Sequence, residues 1–243
     1  MTYAQHKAAF AKLIREAAHR HDVWRVFSDF VEMAAISIAN QLQPDDEREK
    51  RYRQVVGTYS KEEAALFPKM LGHVVMGLEC QLGDFLGESF MELDLGNSHK
   101  GQFFTPYSLC QAIAATNSDI AEQVSRKGFI TVSDPAVGGA ALLIAFAEEA
   151  RRQGINYQRH VHATGQDVDI KAVHMAYVQL SLIGMPAILI HGNTLAMEER
   201  SRWCTPFHVL GNWDARLRTR TSAPPAPTEQ PHVAHGEPQL ELF

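Results

Sequence analysis

The chain has 243 residues, of which 45% are hydrophobic, and its formal net charge at pH 7 is −5. This size and composition suit one large domain or two small ones with a proper core, and the acidic balance excludes a generally basic nucleic-acid coat. Cys80, Cys110 and Cys204 are widely spaced and no His/Cys cluster has zinc spacing, so neither a disulfide scaffold nor a metal site is expected. The charged N-terminal stretch argues against a signal peptide or membrane span, and we expect a soluble cytoplasmic protein.

The first part of the chain has helical patterns. Apolar residues recur at i, i+3, i+4 and i+7 through residues 3–42, which predicts helix over that stretch. A capping box from Ser60 to Glu63 opens another helix. We therefore predict an all-helical N-terminal domain over residues 1–95.

Residues 96–213 change to alternating helices and strands. A helix at about 106–116 precedes three strand-like runs, which are separated by two helical segments. The strands are predicted at 128–134, 160–167 and 187–192, and the intervening helices at 140–154 and 170–184. Strands alternating with helices of this length are typical of right-handed parallel βαβ units, so the fold class is α/β.

The first strand ends in "DPAVGG", which predicts a ligand-binding turn. Asp134 stands where the strand ends, and Gly138 and Gly139 let the backbone turn sharply and a ligand approach closely. A helix N-terminus follows and offers N–H groups. Many strand–helix turns contain glycines for packing only, which is the alternative interpretation.

The next two strands end in polar side chains at the same edge. Asp167 is placed to accept hydrogen bonds from ribose hydroxyls, whereas Asp169 is a candidate helix cap; both can also be caps alone. Asn193 follows the third strand, where it either meets an adenine amino group or shapes a turn.

The stretch "GQFFTP" precedes the helix at 106–116. Thr105 as N-cap and Pro106 at the first helical position make a sound helix start, and the helix N-terminus favours an anion such as a carboxylate. Phe103 and Phe104 either wall a pocket beside that terminus or belong to the core.

Four ordered segments carry a resemblance to a known family. The chain resembles the S-adenosylmethionine-binding half of the adenine-N6 DNA methyltransferases, most closely the modification subunits of type I restriction systems and their small phage and plasmid relatives, in "GDFLGESFMELDLGNSHKGQFFTP", "DPAVGGAALLIAFAE", "GQDVDIKAVHMAYVQLSLIG" and "GNTL". The resemblance covers roughly residues 83–195. It implies a partial Rossmann-like class I methyltransferase sheet preceded by an all-helical N-terminal region. It also implies S-adenosyl-L-methionine as cofactor and DNA as partner.

The resemblance also assigns residues to parts of the cofactor. The motif that wraps the methionine end is matched by Gln102, Phe103, Phe104, Thr105 and Pro106. The motif under the cofactor is matched by Asp134, Pro135, Ala136 and Gly138. Asp167 matches the acidic ribose contact, and Asn193 matches the position near the adenine ring.

The chain departs from the family at two places. Ala140 stands where the glycine-rich turn usually has a further glycine. The catalytic Asn-Pro-Pro-Tyr or Asn-Pro-Pro-Phe, whose amide and ring hold an extruded base, is absent. The nearest stretch is "CTPF", which makes weak catalytic candidates of Cys204, Thr205, Pro206 and Phe207. The charged run before it does not have the pattern of a buried parallel strand.

Three hypotheses follow for the function. The chain is an active adenine-N6 DNA methyltransferase with a degenerate catalytic loop, or a catalytically silent cofactor-binding accessory protein, or a fold retained without a ligand. If DNA is a partner, a further subunit is expected to supply its recognition.

The last residues, 214–243, are rich in Pro, Ala and Thr and are predicted to be a disordered tail. The tail ends in "QLELF", which resembles the peptide by which bacterial replication and repair proteins dock on the DNA sliding clamp. Gln239, Leu240, Leu242 and Phe243 are therefore candidate partner-binding residues, since exposed apolar side chains can bind a partner's groove. The alternatives are a tail that folds back on the protein or a chance string. Clamp docking would imply a bacterial, plasmid or phage setting.

Overall fold

The computed structural model describes residues 1–93 and 105–221. Six helices come first in this part of the chain, in agreement with the predicted helical N-terminal region. Their bounds are α1 Tyr3–Ala17, α2 Val23–Asn40, α3 Asp46–Val56, α4 Lys61–Ala64, α5 Phe67–Cys80 and α6 Phe85–Glu92.

Local capping decides where these helices begin. The predicted continuous helix over residues 3–42 is wrong in one respect: it is two helices, because Asp22 accepts hydrogen bonds from the N–H groups of Trp24 and Arg25 and starts α2 afresh. The capping box from Ser60 to Glu63 is confirmed, although the helix that it opens has only four residues.

The second part contains a four-stranded sheet with its connecting helices. Its elements are α7 Tyr107–Ala115, α8 Ile120–Lys127, β1 Ile130–Asp134, α9 Ala141–Arg152, α10 Tyr157–His160, β2 Val161–Asp167, α11 Ile170–Leu182, β3 Ala187–Asn193, β4 Glu198–Cys204, α12 Pro206–Leu210 and α13 Trp213–Thr221. The strand order is β1-β2-β3-β4, with the first three strands parallel and β4 antiparallel to β3. The predicted α/β fold with parallel βαβ units is confirmed. The disordered tail predicted for residues 214–243 is wrong at its start, because residues 214–221 belong to α13, which the buried Trp213 anchors.

β4 is an edge strand, as the charges in "EERSRWC" suggest. Its pairing with β3 is interrupted by an irregularity between His191 and Gly192, and most of its side chains are exposed. Charges and bulges of this kind protect a sheet edge from further pairing. The stretch is therefore a strand, although not the buried parallel strand that precedes the catalytic loop in the family it resembles.

The helical region and the sheet share one hydrophobic core. Buried residues from both parts form a single cluster, from Phe10 on α1 to Leu189 on β3. Helix α2 packs on α11, and the Lys171 ammonium lies 4.1 Å from the centre of the Trp24 ring. The predicted boundary between residues 95 and 96 falls outside the described residues. None of the described helices is long and apolar enough to cross a membrane.

Candidate functional site

The turn between β1 and α9 runs from Asp134 to Ala140 at the carboxyl edge of the sheet. Gly138 and Ala140 have φ angles of 51° and 75°. Such left-handed values cost a residue with a Cβ about 1–2 kcal/mol. Helix α9 begins at Ala141 without a side-chain cap, so the N–H groups of its first turn are available to a ligand.

The end of β2 holds this turn in place. The Gly138 N–H donates to Asp167 Oδ2 at 3.0 Å, and the Val137 N–H donates to the Gln166 carbonyl at 2.9 Å. The other oxygen of Asp167, Oδ1, accepts from the Asp169 N–H at 2.9 Å. A carboxylate has about four acceptor positions, so Asp167 can still accept a hydrogen bond from a ligand.

The start of the turn is fixed from β1 and from the loop after β3. Asp134 Oδ1 accepts from the Ala136 N–H at 3.0 Å. The Thr194 hydroxyl donates to the Pro135 carbonyl at 2.9 Å. The ends of all three parallel strands therefore contribute to one rigid turn.

A cavity of about 300 Å³ lies against the turn. Its lining combines two carboxylates, small backbone-exposing residues and apolar side chains: Thr105, Cys110, Ile113, Asp134, Ala136, Val137, Gly138, Gly139, Ala141, Leu142 and Asp167. A larger cleft of about 660 Å³ borders Thr105 on the side of α6. Thr105 thus stands between the turn and the helical region.

The cavity is acidic and partly desolvated. Burial raises the pKa of Asp134, and the negative charge of Asp167 raises it further, against the Ala136 N–H that lowers it. Burial likewise raises the pKa of the Cys110 thiol, with a smaller contribution from Asp84 and Asp134. A cationic ligand would relieve this concentration of negative charge. Within the described part of the chain, no group of three or more His, Cys, Asp or Glu side chains could hold a metal ion.

The residues predicted around the first helix are only partly described. Gln102, Phe103 and Phe104 lie outside the described residues. Thr105 lines the cavity, but the predicted capping is wrong by one position. Pro106 is the N-cap of α7, and no side chain caps that helix. This uncapped N-terminus lines the larger cleft, where it is more open to an anion than a terminus capped by threonine.

Asn193 shapes a turn and Asp169 caps a helix, which are local roles that the sequence already allowed for them. The Asn193 side-chain oxygen accepts from the N–H groups of Leu195 and Ala196, which shapes the turn after β3. Asp169 caps α11 by accepting from the Lys171 N–H at 3.0 Å. Among the described residues only the oxygen of Asn193 takes part in the turn, and its amide NH₂ group has no partner there.

The "CTPF" candidates lie at the end of the sheet where the parallel strands begin, opposite the Asp134 turn. This position contradicts their placement in the candidate site. Because β4 is antiparallel, Cys204 pairs with Ile188 at the start of β3, about 16 Å of extended strand from its carboxyl end. Thr205 is fully buried and donates to a backbone carbonyl ahead of β3. Pro206 and Phe207 continue away into α12. These four residues cannot reach a ligand held at the Asp134 turn.

Three residues around the turn have no role that their local pattern predicts, although all three lie in the segments that carry the family resemblance. Thr194 follows a strand, where a threonine has many roles. Gln179 contacts the turn at Gly139 and joins it to Asp84, and no local spacing connects these distant parts of the chain.

A glycine-containing turn after the first strand, with an acidic residue at the end of the second, is the arrangement typical of nucleotide-type cofactor sites in α/β sheets. The model of the N-6 DNA methylase family matches residues 88–213, which is more than half of the chain. The chain therefore belongs to the N-6 DNA methylase family. No curated protein matches it.

Two solved structures are similar to this chain. One is described as a class I S-adenosylmethionine-dependent methyltransferase from Listeria monocytogenes, with 17% identity and a TM-score of 0.44, over 77% of this chain and 53% of that one. The other is the methyltransferase subunit of a type I restriction-modification system from Streptococcus thermophilus, with 15% identity and a TM-score of 0.41, over 82% of this chain and 59% of that one. The chain thus spans a little over half the length of either protein.

Proposed function

We propose that this member of the N-6 DNA methylase family binds S-adenosylmethionine at the turn from Asp134 to Ala140. The observation that carries the proposal is the Gly138 N–H held on Asp167 at 3.0 Å. This bond joins a left-handed turn, an acidic residue and an uncapped helix N-terminus at one edge of the sheet. Ligands of doubly wound α/β proteins bind at that edge.

The residues of the cavity fit the chemistry of this cofactor. Asp134 and Asp167 suit its ribose hydroxyls and positive charge, and Ile113 and Leu142 offer an apolar wall to its base and methylene groups. When bound, S-adenosylmethionine supplies a methyl group on a positively charged sulfur. The raised pKa of Asp134 agrees with a carboxylate that has no cation beside it.

The remaining assignments from the sequence stay part of the proposal. Asn193 would donate its NH₂ group to the adenine ring, since its oxygen is engaged in the turn. The proposed contacts with the rest of the cofactor are Gln102, Phe103, Phe104, Thr105 and Pro106 at the methionine end and Pro135, Ala136 and Gly138 beneath it.

We infer that methyl transfer to adenine N6 in DNA requires a catalytic loop that these 243 residues do not supply. The four residues that come closest to the motif of such a loop are Cys204 to Phe207. They lie at the end of the sheet where the parallel strands begin, away from the Asp134 turn. Positioning of the reacting groups supplies a large part of an enzyme's rate, so a ring and a polar group at that distance give none. The chain alone is then a cofactor-binding accessory protein, and recognition of DNA falls to a further subunit.

Calorimetric titration with S-adenosylmethionine tests the first part of the proposal. We expect saturable binding to the intact chain and at least about tenfold weaker binding to Asp134→Ala, because a partly buried charge-assisted contact is lost. Asp46→Ala, at an exposed position on α3, serves as the matched carboxylate control and should bind like the parent chain. No heat and no thermal shift with the parent chain would end the proposal.

Transfer of a labelled methyl group to mixed-sequence DNA tests the second part. We expect no incorporation by the chain alone under conditions where it binds the cofactor. Incorporation by the chain alone that survives Phe207→Ala would show that another aromatic residue stacks on the target base. Incorporation that Phe207→Ala abolishes would restore the degenerate-loop hypothesis.

We also propose that "QLELF" binds the bacterial sliding clamp through Gln239, Leu240, Leu242 and Phe243. These residues lie outside the described part of the chain, and the support is the sequence pattern alone. Retention on immobilised clamp should be lost when Leu242 and Phe243 are deleted. Equal retention of the two chains would refute clamp docking and leave cofactor binding untouched.

A further inference from the structure

A buried carboxylate stands between the helical region and the candidate cofactor turn. Asp84, the N-cap of α6, is 1% exposed. Its Oδ1 atom accepts from the Gly87 N–H at 3.0 Å and from Gln179 Nε2 at 2.8 Å. A buried charged group is expensive unless it is hydrogen-bonded, so this position is a constrained one.

Gln179 connects that carboxylate to the turn. It lies on α11, is fully buried, and donates from Nε2 to the Gly139 carbonyl at 2.6 Å as well as to Asp84. Its Oε1 atom accepts from the Leu86 N–H at 3.0 Å. Both N–H bonds and the carbonyl of one amide group are therefore used to join α6, α11 and the turn.

Two glycines make room for this arrangement. A Cβ atom at Gly87 would collide with the Asp84 carboxylate, and one at Gly139 would lie 3.0 Å from Asp84 Oδ1. The backbone of α6 and that of the turn can approach the carboxylate only because neither residue has a side chain. The fit is thus built into three separate segments of the chain.

We propose that Asp84 and Gln179 are positioning residues, which fix the glycine turn of the cofactor site to the helical N-terminal region. The inference rests on the proposed function, because it names what shapes that site. Asp84 accepts both bonds at one oxygen and polarises the Gln179 amide, which strengthens the bond to Gly139. The turn is held from β2 by Asp167 and from the helical region by Gln179.

The turn needs this second anchor because its backbone is strained. Ala140, which follows Gly139, has a Cβ atom and a φ angle of 75°, whereas a positive φ angle is unstrained at Gly138. Strained backbone persists only where the surroundings over-determine it. Without Gln179 the Gly139 carbonyl would be buried without a partner, and the turn would relax toward another conformation.

Hydrogen exchange of the cofactor-free chain tests this positioning without any ligand. Gln179→Met keeps the length and burial of the side chain but removes its donors. We expect the Gly138 and Ala140 amides to exchange at least about tenfold faster than the global loss of stability explains. Tyr157→Phe is the control, since it removes one buried donor from the Ile183 carbonyl, which keeps Gln158 Nε2 as a partner, and it lies outside the turn.

Cofactor affinity gives the second readout, with a conservative variant as rescue. Asp84→Asn keeps an acceptor oxygen and should stay within about threefold of the parent affinity, whereas Asp84→Ala should bind about tenfold more weakly. Tyr157→Phe should bind like the parent chain. If the parent chain binds no S-adenosylmethionine, the proposed function fails and the exchange experiment still decides the positioning. Equal hydrogen-exchange rates of the Gly138 and Ala140 amides in Gln179→Met and Tyr157→Phe would overturn the proposed positioning role.

Discussion

At the scale of single residues, two strained positions differ in how much the relief of strain is offset by lost burial. Ala140 and Met197 have φ angles of 75° and 55°, so glycine would relieve about 1–2 kcal/mol at either site. The Ala140 methyl is fully buried, and its loss costs about 0.8 kcal/mol, whereas Met197 is 90% exposed and loses little. We predict that Met197→Gly stabilises the chain by about 1 kcal/mol and that Ala140→Gly changes the free energy of unfolding by less than that.

Urea unfolding at neutral pH measures both differences. A larger gain for Ala140→Gly than for Met197→Gly would show that the buried methyl is itself crowded. That outcome would also explain why glycine is usual at this position in the family. Neither substitution removes a polar side chain, so a difference between the two changes in stability reports on backbone strain and on the buried methyl group.

At the scale of elements, a pair of buried histidines ties α12 and α13 to β2. His162 Nε2 and His208 Nδ1 are 2.9 Å apart and Trp213 packs on His162. Burial lowers the pKa of His162 to about 4, and burial also lowers that of His208. The fold therefore favours neutral histidine. This contribution to stability is complete above about pH 6.5 and is lost as the pH falls toward 4.

The expected size of this effect is about 2 kcal/mol for His162 between pH 7.5 and pH 5. His162→Gln cannot titrate, so the pH dependence of its unfolding free energy should be smaller than that of the parent chain by this amount. His19→Gln, at an exposed position on the surface, should leave the dependence unchanged. The same slope in all three chains would exclude His162 as its source.

The elements also show what a sequence can and cannot predict. The βαβ order was predictable because hydrophobic periodicity and turn residues act over a few positions, as at Asp134. The end of the sheet at which Cys204 lies was not predictable, since the direction of β4 depends on its pairing with β3. The contact of Gln179 with Asp84 spans 95 positions, and no local pattern records it. The helix start at Pro106 differed from the prediction by a single residue.

At the scale of the whole molecule, we expect the shared core to make the helical region and the sheet one cooperative unit. Met70 on α5 and Leu189 on β3 are both fully buried members of the same cluster. The contact of α2 with α11, and the bridge from Asp84 through Gln179, cross between the two parts. Removing either part would expose apolar surface that the other now covers, so neither is expected to unfold by itself.

We predict that a cavity in one part destabilises both. Leu189→Ala should lower the free energy of unfolding by about 2–5 kcal/mol. The slowest-exchanging amides of α1 and α5 should lose as much protection as those of β2, because global unfolding is their shared route to exchange. Met70→Ala is the reciprocal variant and should affect β2 as strongly as α5. Loss of protection confined to the part that carries the substitution would show two independently folding units, with the boundary near the predicted position.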